Sequence, residues 1–228
     1  MNYTYEYPHP AVAVDIVVLS VDASLSDLQV LLVRRGDDPF KGALALPGGF
    51  VNLDEDLDAA AARELREETS VDCFHLEQIG AFGRPDRDPR ERVISVAYMA
   101  LVCRDACEVR AGSDAASAEW YPIIRDLAFD HLVILTAAIE RLRTEICRAP
   151  IGFHLLPSPF TLGQLQRLYE TILDRPLDKR NFRRRVLAMG VLREAKLVPA
   201  LRAGKFFRFD KRAYDRAVRD GLRFGIWG

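Results

Sequence analysis

Hydrophobic positions in the first two thirds of the chain follow two periodicities, and together they predict a mixed sheet with helices beside it. Runs rich in valine, isoleucine, leucine and aromatic residues, bounded by turn signals, are predicted to form strands over 11–21, 29–35, 76–82 and 93–102. Four apolar residues between these strands recur at helical spacing: Leu57, Ala60, Ala61 and Leu65. Asp56 can cap the first turn of that helix. A second strongly helical stretch covers 131–147, so we expect an α+β fold in which two helices flank a sheet.

The last third of the chain has the pattern of a winged helix-turn-helix. Phe160 and Leu165 supply a hydrophobic staple around a capping box of Thr161 and Gln164, so a helix is predicted to begin at Thr161 and run through Ile172. Residues 175–177 break it, and Asp178 can cap a second helix over 179–189. The stretches 196–199 and 206–209 then indicate two short strands around a basic turn, which is the wing.

The second helix of this pair carries opposite chemistry on its two faces. Phe182, Val186 and Met189 cluster on one side, and the other side is basic. We expect the basic side to meet the phosphates or base edges of double-stranded DNA. The predicted DNA-binding residues are Lys179, Arg180, Asn181, Arg183 and Arg184 on the helix, with Arg202 and Lys205 in the wing. A solvated surface, or a docking face for an acidic partner, is the alternative for such a helix.

The charge is divided unevenly along the chain. The net charge of the 228 residues is -1, yet residues 151–228 carry 17 Lys and Arg against 7 Asp and Glu, whereas residues 1–150 carry 15 against 26. This asymmetry suggests that the basic segment meets a polyanion. Pro150 and Gly152 follow the helical stretch, so we predict two domains, 1–149 and 150–228.

Composition indicates a globular protein of the cytoplasm. With 49% hydrophobic residues, the chain can bury a sizeable core. The first ten residues contain no lysine or arginine, and Asp15 interrupts the first apolar stretch, so neither a signal peptide nor a membrane span is predicted. The four cysteines lack metal-ligand spacing and are expected to be reduced, mostly buried thiols. His131 and His154 are expected to be structural.

Carboxylates on the first helix carry the most specific chemistry. Glu64, Glu67 and Glu68 stand at i, i+3 and i+4, so they share a helix face and would repel one another without a cation. A hard divalent ion such as Mg²⁺ is the natural partner. Ahead of the helix, Gly48 and Gly49 are expected to form a loop where the backbone can approach a phosphate closely. The alternative is an ordinary solvated face of glutamate and arginine.

This segment resembles the Nudix box, with Gly49, Glu55 and the run Arg63-Glu64-Leu65-Arg66-Glu67-Glu68 at the family's spacing. The resemblance implies a Nudix α/β/α sandwich with a mixed sheet, Mg²⁺ on the three glutamates, and Arg63 orienting a glutamate. These four residues form the implied catalytic set. Ser70 departs from the pattern, because the family has glycine there. That glycine normally adopts a left-handed backbone after the helix, so serine should cost about 1 kcal/mol if the geometry is kept.

Two further segments look like Nudix proteins that handle ADP-ribose: 34–42 and 84–96. The resemblance nominates Phe40 for the base and Arg35 for the phosphates. The charged stretch 85–92 is predicted to be an exposed loop. A hydrolase also needs a base for the attacking water, and Asp86, Asp88 or Glu91 could supply it; the sequence does not choose among them.

The chain as a whole resembles the Nudix-related transcriptional regulators of NAD metabolism, on the opening 7–12 and the run 160–191. The resemblance implies a homodimer whose Nudix-like domain binds ADP-ribose, or a related NAD-derived or sugar-nucleotide metabolite, and whose winged helix domain binds an operator. Because all three box glutamates are present, the alternative function is a Mg²⁺-dependent hydrolase of the ADP-ribose pyrophosphatase type with an accessory basic domain.

Overall fold

The computed structural model describes residues 6–72, 75–107, 109–110, 115–195, 205–221 and 224–225. These residues form ten strands, which are β1 (Ala11–Val21), β2 (Leu28–Arg35), β3 (Leu44–Ala45), β4 (Gly48–Phe50), β5 (Leu76–Phe82), β6 (Val93–Leu101), β7 (Ala115–Pro122), β8 (Phe160–Thr161), β9 (Leu192–Glu194) and β10 (Phe206–Phe209). The five α-helices among them are α1 (Leu57–Thr69), α2 (His131–Glu145), α3 (Leu162–Leu173), α4 (Lys179–Ala188) and α5 (Lys211–Arg219).

Seven strands make the mixed sheet. Its order is β3-β2-β1-β6-β5, with β4 paired to β1 and β7 paired to β2. β1 and β6 run parallel, and the other pairs are antiparallel. The four predicted strands are confirmed, with ends that differ by no more than one residue. Strand β7 was missed, because its alanine-rich start lacks the apolar alternation that indicates a strand.

The two faces of β1 meet different helices. Val14, Ile16 and Val18 point to one face and pack in a buried cluster with Ala60, Ala61 and Leu65 of α1. Asp15 points to the opposite face because side chains alternate along a strand. There the Oδ1 atom of Asp15 lies 3.3 Å from Nε2 of His131, the first residue of α2. The predicted α/β/α arrangement is therefore confirmed.

The described residues divide into two compact units. The first holds those within 1–19, 29–102 and 107–139, and the second those within 20–28, 103–106 and 140–228. The last of the passages between the two units lies inside α2, between residues 139 and 140. The boundary at 149/150 stays a prediction.

The second unit contains the predicted helix pair. Thr161 and Gln164 form the capping box of α3, and the Asp178 side chain accepts a hydrogen bond from Asn181 N at 2.7 Å. Glu170 Oε1 accepts from Leu177 N at 2.9 Å and from Gln166 Nε2 at 3.0 Å, which ties the intervening turn to α3. Tyr169 and Phe182 pack between the helices with ring centroids 5.5 Å apart.

A three-stranded antiparallel sheet of order β8-β10-β9 completes this unit. The predicted strand at 206–209 is confirmed as β10, and its neighbour β9 lies at 192–194. The other predicted wing strand, 196–199, lies outside the described residues. Strand β8 and helix α5 were not predicted from the sequence.

Three cysteines differ from expectation. Cys103, Cys107 and Cys147 form no disulfide among the described residues but are only partly buried, so the prediction of mostly buried thiols is wrong for them, and Cys73 lies outside the described residues. Burial raises the pKa of the Cys103 thiol above its usual value. Within the described ranges, no helix is both long enough and apolar enough to span a membrane.

Candidate functional site

The box helix α1 forms where the sequence predicts it. Asp56 accepts a hydrogen bond from Ala59 N at 2.9 Å, and the helix ends at Ser70, whose φ of 59° and ψ of 15° are left-handed. The left-handed geometry of the family's glycine is therefore kept by a serine, which is the case for which the sequence predicts a cost of about 1 kcal/mol.

Arg63 holds the carboxylates of the box together. Its guanidinium donates to Glu55 at 2.5 and 2.9 Å, to Glu64 at 2.7 Å and to Glu67 at 3.0 Å. Hydrogen bonds from Arg63 and from Asn52 N lower the pKa of Glu55 to about 2. Burial raises the pKa of Glu64 even though Arg63 opposes the shift, and the charges of Glu67 and Glu55 act in the same direction as burial. The role implied for Arg63, orienting a glutamate, agrees with these contacts.

Gly48 and Gly49 belong to strand β4 rather than to a loop, so that part of the prediction is wrong. They pair with Asp15 and Val14 of β1. A Cβ atom at Gly49 would lie 2.3 Å from Glu64 Oε1, and one at Gly48 would lie 2.1 Å from Val14 O. Glycine is required at position 48 because the close atom belongs to the backbone of β1, whereas a side chain at position 49 would displace the carboxylate of Glu64. Gly48 N also donates to Glu68 Oε2 at 3.0 Å, which links the strand to the box.

The three box glutamates do not form a ready-made metal cage. Within the described parts of the chain, no three His, Cys, Asp or Glu side chains are grouped closely enough to hold a metal ion. Glu64 and Glu67 both accept from Arg63 Nη1, while Glu68 is bonded to Gly48 N. The donor chemistry nevertheless suits a hard divalent cation, since a half-buried carboxylate beside like charges gains from one.

A pocket beside the box brings predicted ligand residues together. Arg35, Gly48 and Gly49 line it, together with two residues that sequence reasoning missed, Arg90 and Phe129. Phe40 lies in an adjoining cavity, which shares Phe129 and Arg87 with the first. We call these two cavities the paired pocket.

Two phenylalanines meet where the cavities adjoin, and Phe129 lines both of them. The Phe40 and Phe129 rings meet edge to face with centroids 4.8 Å apart, and Arg35 lies over the Phe129 ring at 4.9 Å. Phe40 and Phe129 have left-handed backbones, with φ of 64° and 53° respectively. This conformation is rare for bulky residues and costs about 1–3 kcal/mol each, a strain that clusters at ligand sites. Phe40 is 44% exposed, so its ring is available to a ligand.

The charged stretch 85–92 is not simply an exposed loop, because two of its residues are buried. Arg87 and Asp88 are 7% and 6% exposed. Arg87 Nη2 donates to Asp15 Oδ2 and to Asp130 Oδ1, each at 2.8 Å. These partners explain how the charge of Arg87 is accommodated inside the fold. The sequence offered no sign of this pairing, since Asp15 and Asp130 are far from Arg87 along the chain.

His131 completes this buried network. Its Nδ1 accepts a hydrogen bond from Leu46 N at 2.9 Å, and its Nε2 faces Asp15. Burial alone would raise the pKa of Asp15, but His131, Arg87 and the Ser95 hydroxyl outweigh burial and hold it well below its usual range. The structural role expected for His131 is confirmed.

The three candidates for a catalytic base occupy different places. Asp88 lines the paired pocket beside Gly48 and Gly49, but it is bonded to Arg90. Asp86 lies in the Phe40 cavity and pairs with Arg84 at 2.8 Å. Glu91 is exposed and lines a separate groove with Val12 and Leu53. None of these contacts selects one of them as the base.

Helix α4 presents the expected basic surface. Phe182 and Val186 are buried, whereas Lys179, Arg180, Asn181 and Arg184 are exposed. Arg184 Nη2 donates to Asn181 Oδ1 at 2.7 Å. Arg183 is partly buried, and its Nε has no hydrogen-bond partner among the described residues. In the wing, Lys205 is exposed and lies 3.2 Å from Glu194, and Arg202 lies outside the described residues.

Comparison with known proteins accounts for both units. Residues 9–129 match the NUDIX domain, and residues 152–209 match the NrtR DNA-binding winged helix domain. The chain is 38% identical over 218 residues to the ADPR responsive transcriptional repressor NtrR of Acinetobacter baylyi, covering 92% of this chain and 86% of that protein. This chain belongs to the NrtR family of Nudix-related transcriptional regulators.

Solved structures of NrtR from Shewanella oneidensis have the same fold as this NrtR-family chain. One matches with a TM-score of 0.77 at 32% identity, covering 94% of this chain and 98% of that one. A second, complexed with a 27mer DNA, also has a TM-score of 0.77 at 32% identity, over 90% of this chain and 95% of that one. The NUDIX domain of the same relative, complexed with ADP ribose, matches with a TM-score of 0.56 at 34% identity, over 62% and 94%.

The Nudix half alone is also similar to an enzyme. It is 41% identical over 131 residues to the ADP-ribose pyrophosphatase of Methanocaldococcus jannaschii, covering 57% of this chain and 73% of the enzyme. Nudix domains typically use a divalent metal ion. The match to a repressor extends over both units, whereas the match to the enzyme covers one, so the comparisons favour a regulator over a hydrolase.

Proposed function

We propose that this NrtR-family protein is a transcriptional repressor whose Nudix domain binds ADP-ribose, or a closely related metabolite, and thereby alters the affinity of its winged helix domain for an operator. The observation that carries the proposal is the paired pocket. It places an arginine, two partly buried glycines and a strained phenylalanine pair beside the box helix, in a chain whose helix α4 also has an exposed basic face.

The paired pocket suits each part of ADP-ribose. Aromatic rings such as Phe40 stack on a nucleobase, and Arg35 can neutralise a phosphate. Gly48 and Gly49 line the same cavity, so a ligand there would lie beside the backbone of β4. The ligand would then lie against β4, whose Gly48 N–H is bonded to Glu68 of the box.

On the DNA side, we propose that Lys179, Arg180, Asn181 and Arg184 contact double-stranded DNA, with Arg183, Arg202 and Lys205 as further contacts. The protein would act as a cytoplasmic homodimer. Exposed apolar side chains of Val12, Phe50 and Leu53 around one groove support association with a second copy. Two recognition helices would read half-sites about one helical turn, or a multiple of it, apart.

The proposal is tested by adding ADP-ribose to the complex of the full chain with labelled DNA from upstream of its own operon. Coupling requires that ADP-ribose bind the DNA-competent and DNA-incompetent states with different affinity, so we expect the DNA dissociation constant to change by a factor of about 5 to 150. Fluorescence anisotropy measures that constant, and adenosine, which lacks phosphates, is the matched ligand control. Identical DNA binding at saturating ADP-ribose would contradict the proposal.

A second function, Mg²⁺-dependent hydrolysis of ADP-ribose, is supported by the retained box glutamates and by the similarity to the pyrophosphatase. Glu64, Glu67 and Glu68 would hold the metal ion, and Arg63 would keep Glu64 and Glu67 in position. Bound Mg²⁺ would polarise a phosphoryl oxygen and stabilise negative charge on the diphosphate. Asp86, Asp88 and Glu91 remain the candidates for the base.

Glu67→Gln and Glu68→Gln are expected to lower the rate of AMP release from ADP-ribose by about a hundredfold or more, because each removes a charge that would hold the metal ion. The measurement is AMP formation with and without Mg²⁺. Glu119→Gln, at an exposed position on β7, is the matched control and should keep the wild-type rate. Wild-type turnover no higher than that of the two variants would leave the chain as a sensor alone.

A further inference from the structure

Arg90 lies at the opening of the paired pocket, and no role follows for it from the box or from the base and phosphate contacts above. Its side chain is 44% exposed. Its guanidinium carbon is 5.5 Å from the Phe50 ring centroid and 5.9 Å from that of Phe129. Asp88 accepts hydrogen bonds from Arg90 Nε at 3.0 Å and from Nη2 at 2.8 Å. The guanidinium is therefore held in one orientation at the cavity it lines.

A second arginine, Arg35, also lies near the Phe129 ring. Arg35 lies over Phe129 at 4.9 Å, and its Nε donates to Pro39 O at 2.7 Å. A ring attracts each cation, but two cations beside one ring repel each other. Burial, and next the charge of Arg90, lower the pKa of Arg35. An anion placed between the two guanidinium groups would remove this repulsion.

The remaining buried arginine of the pocket does not serve such an anion. Arg87 has a side chain that is only 4% exposed, and its guanidinium is bonded to Asp15 and Asp130. Arg35 and Arg90 are thus the two arginines of this cavity that combine ring contact with partial exposure. Two linked phosphates carry two charges a few ångströms apart, which matches two separated cations better than a single phosphate does.

We infer that Arg90 is a second phosphate-binding residue, which together with Arg35 holds both phosphates of a nucleoside diphosphate ligand beside the Phe129 ring. This inference rests on the proposed function and adds the specificity of the site. The pair of arginines favours a linked diphosphate over a monophosphate, because a diphosphate brings a separate phosphate to each arginine whereas a monophosphate offers both arginines a single phosphate group.

The test compares the dissociation constants of ADP-ribose and AMP for the full chain by isothermal titration calorimetry. Arg90→Ala is expected to weaken ADP-ribose binding about tenfold to hundredfold, since it removes a charge-assisted hydrogen bond. AMP can still use Arg35, so its binding should change much less. The preference for ADP-ribose over AMP should therefore fall by about tenfold, which general loosening of the fold would not produce.

Arg92→Ala is the matched control, because Arg92 lies in the same segment but donates to backbone oxygens of Arg84 and Val93. Arg90→Lys keeps the charge without the planar fork and should restore only part of the affinity; it also serves if the alanine variant fails to fold. The dissociation constants of inorganic pyrophosphate and phosphate are measured in the same way, which gives the same comparison for ligands without a nucleoside.

The outcomes separate the two proposals. If the wild type binds ADP-ribose, and Arg90→Ala prefers ADP-ribose to AMP as strongly as Arg92→Ala does, the inferred role of the arginine pair is overturned and the proposed function stands. If the wild type does not bind ADP-ribose but prefers pyrophosphate to phosphate through Arg90, the arginine pair stands and the proposed function is overturned. Absence of binding to either ADP-ribose or pyrophosphate overturns both.

Discussion

Replacing Arg180 and Arg184 together by alanine is expected to lower the affinity for operator DNA by about a hundredfold or more. Both side chains are exposed on α4, whose opposite face is buried through Phe182 and Val186. A contact of arginine with a base edge or phosphate contributes about 1–3 kcal/mol, so the loss of two should remove most specific binding. Gel-shift titration at one fixed salt concentration measures the effect, since affinity for DNA depends strongly on salt.

A control variant separates recognition from general charge. The double variant Arg212→Ala, Arg216→Ala also removes two positive charges, but from exposed positions on α5. Only a small loss of affinity is expected from it. If the α4 variant binds the operator like the wild type, α4 is not the recognition helix; if both variants lose affinity equally, the effect is one of net charge.

Arg87→Leu is expected to lower the free energy of unfolding by about 3–5 kcal/mol, the usual result of removing one partner from a buried ion pair. The variant leaves Asp15 and Asp130, with side chains 10% and 12% exposed, without their shared cation. Urea unfolding followed by far-UV circular dichroism at pH 7 measures the loss. Arg84→Leu breaks an exposed pair with Asp86, with side chains 70% and 69% exposed, and should change stability little.

The effect of Arg87→Leu should also depend on pH. The pKa of Asp15 in the folded protein is held well below its usual range, partly by Arg87. The stability that the charged Asp15 contributes is therefore fully present above about pH 4 and is lost as the pH falls towards the lower, folded-state pKa. The variant has less of this stability to lose, so its deficit should shrink between pH 7 and pH 3. A deficit of equal size at both pH values would contradict this role for Asp15.

Local signals were sufficient for the starts of three helices, because a cap acts over a few residues. The cap at Asp56, the capping box at Thr161 and the cap at Asp178 are each made within three residues along the chain, and all three form as predicted. The left-handed conformation of Ser70 follows from its place after the box helix in the same way. Strand β7 was missed because its alanine-rich start lacks the apolar alternation that indicates a strand.

The ligand site was predicted less completely than the helix caps, because several of its contacts join residues that are far apart in sequence. Arg35, Gly48, Gly49 and Phe40 were nominated by resemblance, whereas Phe129 and Arg90 carried no signal of their own. Phe129 becomes a site residue only because the start of α2 lies beside Asp15 of β1, which brings its ring against Phe40. The glycines were predicted as a loop because their pairing with β1 is a contact over more than 30 residues.

By itself the sequence determined the two-part architecture. The first part has a box helix with three carboxylates on one face, and the second has a helix pair whose second helix is basic. The uneven division of charge between residues 1–150 and 151–228 separates the two parts. These properties depend on spacing and composition, which a chain carries before it folds. Only the tertiary structure decided which charges are buried and which cations meet in one cavity. β1 pairs in parallel with β6, and α2 begins beside Asp15. This packing brings Arg87 next to Asp15 and Asp130, and Arg90 next to Phe50 and Phe129, which are all far away in sequence. Such contacts are set by packing, which periodicity does not encode.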